Sequence, residues 1–102
     1  MKYGLKDEAI DKIQKVFKSH PEIEKVILYG SRVKGNFKPA SDIDITCVGE
    51  KLNLEVICKI EYELDDLLLP FFFDVSIFHQ ISNTDLVEHI NRVGQVFYQK
   101  AT

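Results

Sequence analysis

Apolar residues along this chain change their period several times, and each change marks an element. Ala9, Ile10, Ile13, Val16 and Phe17 recur three and four residues apart, with lysine and aspartate between them. That spacing gathers them on one stripe of a helix over residues 6–18. The helix should end near His20, because the residue before Pro21 is steered away from helical dihedrals. Lys25 to Tyr29 is short, apolar and β-branched and reads as a strand, and Ile43 to Val48 reads as a second. Asn53 can cap a helix running to about Leu68, with Val56, Ile57, Ile60, Leu64 and Leu67 on its inner side. Pro70 then breaks the chain, and Phe71 to Phe78 reads as a third strand. Ser82-Asn83-Thr84-Asp85 has the form of a helix start, and Leu86, Val87, Ile90 and Val93 supply its apolar stripe. Gly94 ends it, and Val96 to Tyr98 makes a last short strand. The order predicts an α/β fold, a small sheet packed by helices, in one domain over residues 1–102. No repeat, linker or low-complexity tract interrupts it.

Chemistry gathers at the strand ends. Gly30 and Ser31 follow the first strand directly. Glycine allows close backbone approach, and the free N–H groups of a helix start attract anions. Ser31 can cap the short helix that follows or offer its hydroxyl to a phosphate. The sequence Gly30-Ser31-Arg32-Val33-Lys34-Gly35 lacks the Gly-Lys-Ser/Thr ending of a Walker loop and the three spaced glycines of a dinucleotide fingerprint. Ser41-Asp42-Ile43-Asp44 places two carboxylates on one strand face, with Ile43 and Ile45 on the other. Two such carboxylates repel unless a cation lies between them, and Mg²⁺ accepts oxygen ligands while keeping positions open for phosphate and water. By itself Asp-x-Asp also fits a solvated strand edge. Asp74 adds weight as a single charge within Phe71–Phe78, sharing a face with Ser76 and opposite to Phe73, Val75 and Ile77. A carboxylate in an apolar strand is costly unless paired or bound to metal.

Composition narrows the partners. The 102 residues are 45% hydrophobic and 28% charged with a net charge of −3, an ordinary globular balance with no basic stripe for nucleic acid. Lys12, Lys15 and Lys18 read as a solvated helix face. Arg32, Lys34 and Lys38 lie near the glycine-serine turn, where they either offset phosphate charge or remain solvated. Cys47 and Cys58 match no zinc spacing and read as buried thiols of a cytoplasmic protein. No signal peptide is visible. The longest apolar run, Leu67 to Phe73, contains Pro70 and falls far short of the roughly 18 residues of a membrane helix. His20, His79 and His89 are scattered without ligand spacing. Phe71 to Phe73 read as core, although Phe72 and Phe78, on the Asp74 side, can line a base pocket or a partner interface. Tyr29 and Tyr98 are uninformative, and Tyr3 lies near a terminus expected to be mobile.

Taken together, Gly30, Ser31, Gly35, Ser41, Asp42, Asp44 and Asp74 resemble the pattern of the polymerase-β-type nucleotidyltransferase superfamily. Within it the chain resembles the minimal nucleotidyltransferases, the small partners of HEPN-domain proteins. The resemblance spans nearly the whole chain. Ile45 stands where leucine is common, and Lys34 where many relatives have arginine, a point charge in place of a planar fork. The resemblance implies a mixed sheet flanked by helices, two Mg²⁺ ions held by Asp42, Asp44 and Asp74, and a nucleotide held by Gly30, Ser31, Arg32 and Ser41. It also implies ATP as co-substrate and transfer of AMP to a tyrosine hydroxyl of a HEPN-domain toxin. The predicted elements use up residues 6–98, so the acceptor is expected on a second chain. The alternative is a non-catalytic antitoxin that neutralises its partner by occlusion.

Overall fold

The computed structural model describes residues 1–101. Helix α1 covers Asp7–Lys18, strand β1 Lys25–Tyr29, the single-turn helix α2 Ser31–Lys34 and strand β2 Ile43–Val48. Helix α3 covers Leu54–Asp65, strand β3 Phe73–Ile77, helix α4 Thr84–Val93 and strand β4 Gln95–Gln99. A 3₁₀ turn, Phe78–Gln80, follows β3. The sheet order is β3-β2-β1-β4. β1 pairs antiparallel with β2 and β4, and β2 pairs parallel with β3. A parallel pair needs a crossover, and α3 supplies it.

Alternation on the strands sends two sets of side chains to opposite faces. Val26, Leu28, Ile43, Ile45, Cys47 and Ile77 face the core, where they meet Ile13, Phe17, Ile57, Ile60 and Leu64 of α1 and α3. Each of these large aliphatic side chains contributes about 1.5–3 kcal/mol when fully buried. α4 packs elsewhere: Ile27, on the other face of β1, lies against Gly94, and the Tyr29 ring meets His89 edge-on at 6.2 Å. α4 therefore covers the β1 side of the second face, the face that also carries Asp44 and Asp74.

Local signals explain the boundaries. Asn53 caps α3 by accepting from the Val56 N–H, and Asn83 caps α4 by accepting from Asp85 and Leu86. Asp7 and Glu8 open α1, and Lys15 and Lys18 close it, in keeping with the helix dipole. Four expectations need correction. α3 ends at Asp65, not near Leu68, because Leu67 and Leu68 close tight turns onto Leu64 and Asp65 and Leu68 takes a left-handed φ of 56°. β3 is shorter than Phe71–Phe78, since the chain enters it only after Phe72 and leaves it into the 3₁₀ turn. Cys58 is exposed on the outer side of α3, whereas Cys47 is buried and its thiol is pushed up to about 12 by burial. The N-terminus is tied down: Lys2 bridges to Leu5, Leu5 is fully buried, and the Tyr3 ring packs 6.4 Å from Phe97. His20 also acquires a partner, Glu63, which links the end of α1 to α3.

Candidate active site

β1 ends at Tyr29 because Gly30 turns the chain. Its φ of 81° and ψ of −154° lie in a region that is essentially glycine-only. Gly30, not Ser31, is the N-cap of α2, so Ser31 is the first helical residue and makes no capping bond. A Cβ at position 30 would run into Asp44 Oδ2. The turn and the carboxylate are thus in direct apposition. Sheet register produces this: Tyr29 pairs with Asp44 across β1–β2.

Register also joins the other acid. Asp44 is the partner of Asp74 across the parallel β2–β3 pair, and Thr46 that of Ser76. Asp42 lies one residue before β2 instead of within it, and it is exposed. Its strand begins at Ile43, whose N–H donates to the Phe72 carbonyl at 2.9 Å. Asp74 is exposed because β3 is an edge strand whose face is left uncovered there, so burial is not what makes it notable.

Electrostatics singles out Asp44 among the three acids. Burial raises the Asp44 carboxyl above the usual aspartate range, and the charges of Asp74 and then Asp42 raise it further. None of the three is ion-paired among the described residues. Nor, among the described residues, do three acidic, histidine or cysteine side chains come close enough together to hold a metal ion by themselves. That openness suits Mg²⁺, which binds through one or two carboxylates plus substrate phosphates in preference to an all-protein cage. Asp44 is the carboxylate with most to gain, since its neighbours are acids.

Tyr29 escaped sequence reading. Its phenol is buried on the acidic face and its pKa is raised, by burial first, then by Asp74 and Asp44, with Ser76 opposing. The phenol stays protonated at neutral pH and presents an O–H, not a charge, to the carboxylates. Ser76 Oγ, whose approach to the phenol gives that opposing effect, is buried and makes no hydrogen bond of standard geometry among the described residues. The signal in sequence was position alone: Tyr29 immediately precedes the turn.

Of the residues expected around the nucleotide, Gly30 and Ser31 stand at the turn. Ser41 builds the loop, its Oγ accepting from the Lys38 N–H at 2.8 Å. Arg32 departs from both expectations for it, since it is neither solvated nor turned toward an anion. It is 2% exposed, and its Nε, Nη1 and Nη2 donate to the carbonyls of Ser41, Tyr3 and Pro39. Lys34 and Lys38 are exposed and make no ion pair among the described residues.

A mixed four-stranded sheet bearing a glycine-serine turn against a paired acidic edge defines the class: a nucleotidyltransferase-type domain. The profile of the family described as Polymerase beta, Nucleotidyltransferase matches residues 11–102, and the chain belongs to that family. No curated protein sequence matches significantly. Among solved structures the chain is similar to one in a toxin–antitoxin complex with AMP-PNP, at TM-score 0.73 and 22% identity, covering 89% of this chain and 73% of that one. It is similar to one in the toxin–antitoxin MntA–HepT, at TM-score 0.68 and 20% identity over 93% and 74%. A third likeness is to a chain in the complex of tri-AMPylated Shewanella oneidensis HEPN toxin with MNT antitoxin, at TM-score 0.69 and 19% identity over 94% and 74%. At these identities the likeness is one of fold. Among the described residues no helix is long and apolar enough to cross a membrane.

Proposed function

We propose that this chain is a Mg²⁺-dependent nucleotidyltransferase that moves AMP from ATP onto a tyrosine hydroxyl of a HEPN-type toxin. The observation that carries the reading is the register of Asp44 with Asp74 on an open face, with the Gly30 turn against Asp44. Family membership supports the reaction class. The likeness to chains from toxin–antitoxin complexes, one with AMP-PNP and one with an AMPylated HEPN toxin, supports donor and partner.

In this reading the backbone at Gly30 and Ser31 receives the β- and γ-phosphates. Asp42 and Asp44, together with Asp74, would hold Mg²⁺, which would supply Lewis-acid polarisation of the phosphoryl oxygens and charge neutralisation for the departing pyrophosphate. The acceptor oxygen forms a bond to the α-phosphorus as the bond to pyrophosphate breaks, and the hydroxyl proton passes to Asp74. Exposure of Asp74 suits this role, because a hydroxyl on another protein must reach it.

The raised pKa of Asp44 gives the pH behaviour a sign. Protons and Mg²⁺ compete for the same carboxylate, so Mg²⁺-dependent nucleotide binding should fall off at a higher pH than an ordinary aspartate would set. More Mg²⁺ should move that acid limb downward. Titrating a fluorescent ATP analogue between pH 4 and 8 at two Mg²⁺ concentrations (about 1 and 10 mM, chosen around usual site affinities) measures it. An acid limb indifferent to Mg²⁺ counts against the assignment.

The function itself is tested by incubating the protein with Mg²⁺, ATP and the product of the gene adjacent to its own. Intact mass spectrometry should record one or more added AMP groups on a partner tyrosine. If the two proteins form a stable complex but no nucleotide is transferred under varied nucleotides and metals, neutralisation by occlusion replaces catalysis.

A further inference from the structure

Arg32 sits next to the candidate phosphate turn, yet its guanidinium is spent inside the protein. Its carbon lies 5.1 Å from the Phe37 ring centroid and 4.7 Å from that of Phe71. Nη1 donates to the Tyr3 carbonyl at 2.9 Å, Nη2 to Ser41 at 2.8 Å and Pro39 at 3.3 Å, and Nε to Ser41 at 3.2 Å. No carboxylate pairs with it among the described residues. A buried cation without a counter-ion is costly unless its donors are satisfied, and here carbonyls and two π faces do that work.

Three of the segments it joins lead to the site, and the fourth, at Tyr3, ties in the N-terminal segment. Arg32 follows Ser31 of the turn. Ser41, whose carbonyl takes two of its bonds, precedes Asp42. Phe71 begins the segment that enters β3 ahead of Asp74. A lysine could not reproduce this, because it has no planar fork to bond two carbonyls on one side and no flat cation to stack between two rings.

We propose that Arg32 is a positioning residue for nucleotidyl transfer: it fixes the Ser41–Asp42 entry to β2 against the Gly30–Ser31 turn before nucleotide arrives. This rests on the site reading given above. The prediction concerns Arg32→Lys and Arg32→Met, with Phe37→Leu as a milder variant should those fail to fold. Hydrogen–deuterium exchange should accelerate by about tenfold or more in a peptide spanning residues 36–44 and stay unchanged in one spanning 54–65, as expected for loss of charged hydrogen bonds in one loop. The Mg²⁺ concentration for half-maximal binding of a fluorescent ATP analogue should rise by about tenfold. Phe37→Leu should shift both readouts the same way by less. Faster exchange with unaltered Mg²⁺ dependence would make Arg32 a fold brace only and overturn the proposal, as would unaltered exchange. If the wild type binds no Mg²⁺–nucleotide, the functional reading fails by itself, and exchange alone decides whether Arg32 holds the loop.

Discussion

Asp44→Asn is expected to abolish nucleotidyl transfer while making the metal-free protein more stable. The first effect should be on the order of 10³-fold in rate, equivalent to about 4 kcal/mol of lost phosphoryl charge stabilisation. The second follows from the raised pKa of Asp44, caused by burial, Asp74 and Asp42. A carboxyl with a higher pKa folded than unfolded stabilises the fold fully only below its unfolded value. That contribution is lost as pH rises through the folded value. At neutral pH the ionised Asp44 therefore opposes folding, and the neutral, nearly isosteric asparagine removes the repulsion. In EDTA at pH 7 the variant should melt above the wild type, and the difference should vanish as pH drops below the ordinary aspartate range. Mg²⁺ with nucleotide should then raise the wild-type midpoint and leave the variant where it was. A variant that melts lower in EDTA would show that Asp44 is a structural hydrogen-bonding residue and not a charge awaiting a cation.

Gly30→Ala is expected to reduce transfer and Mg²⁺-dependent nucleotide binding by about 100-fold and to destabilise the fold by about 1–3 kcal/mol. Two independent causes act. The backbone at position 30 occupies a conformation that a Cβ disfavours strongly, and the Cβ itself would displace the Asp44 carboxylate. Gly35→Ala separates them. Gly35 also has a positive φ, 85°, but a Cβ there meets nothing within 4 Å. It should lose roughly 1 kcal/mol of stability and little activity. Equal activity losses in the two variants would mean that strain in the turn, not contact with Asp44, is what matters. Denaturant midpoints and steady-state transfer rates on the same preparations measure both.

The strands were legible because their signals are local. Lys25–Tyr29 and Ile43–Val48 are β-branched runs bounded by polar residues and glycine, and the structure gives them those bounds. The Asn53 cap was legible for the same reason, since a cap is a bond between residues two or three apart, and so was the Ser82–Asp85 helix start, within which the structure makes Asn83 the cap. The end of α3 was not. Leu67 continues the helical stripe in sequence and still packs on the core, but the chain must turn there to reach β3. The periodicity of an apolar stripe cannot distinguish one more helical turn from a tight turn that leaves the same side chain inside.

The candidate site divides along the same line. Sequence alone marked the candidate residues: a glycine-serine turn after a strand, two acids two residues apart, and a third acid in an apolar run. It did so because each is a short-range pattern of residue types. Only tertiary structure decided what those residues do to one another. Sheet order made β3 an edge, which exposes Asp74, and parallel register put Asp74 beside Asp44, some thirty positions away along the chain. The β1–β2 register then set Tyr29 against the acids and Gly30 against Asp44. Arg32 changed most. In sequence it is a cation next to a phosphate-type turn. In the fold it is a buried fork on carbonyls of Tyr3, Pro39 and Ser41, because folding brings those carbonyls within reach of one guanidinium.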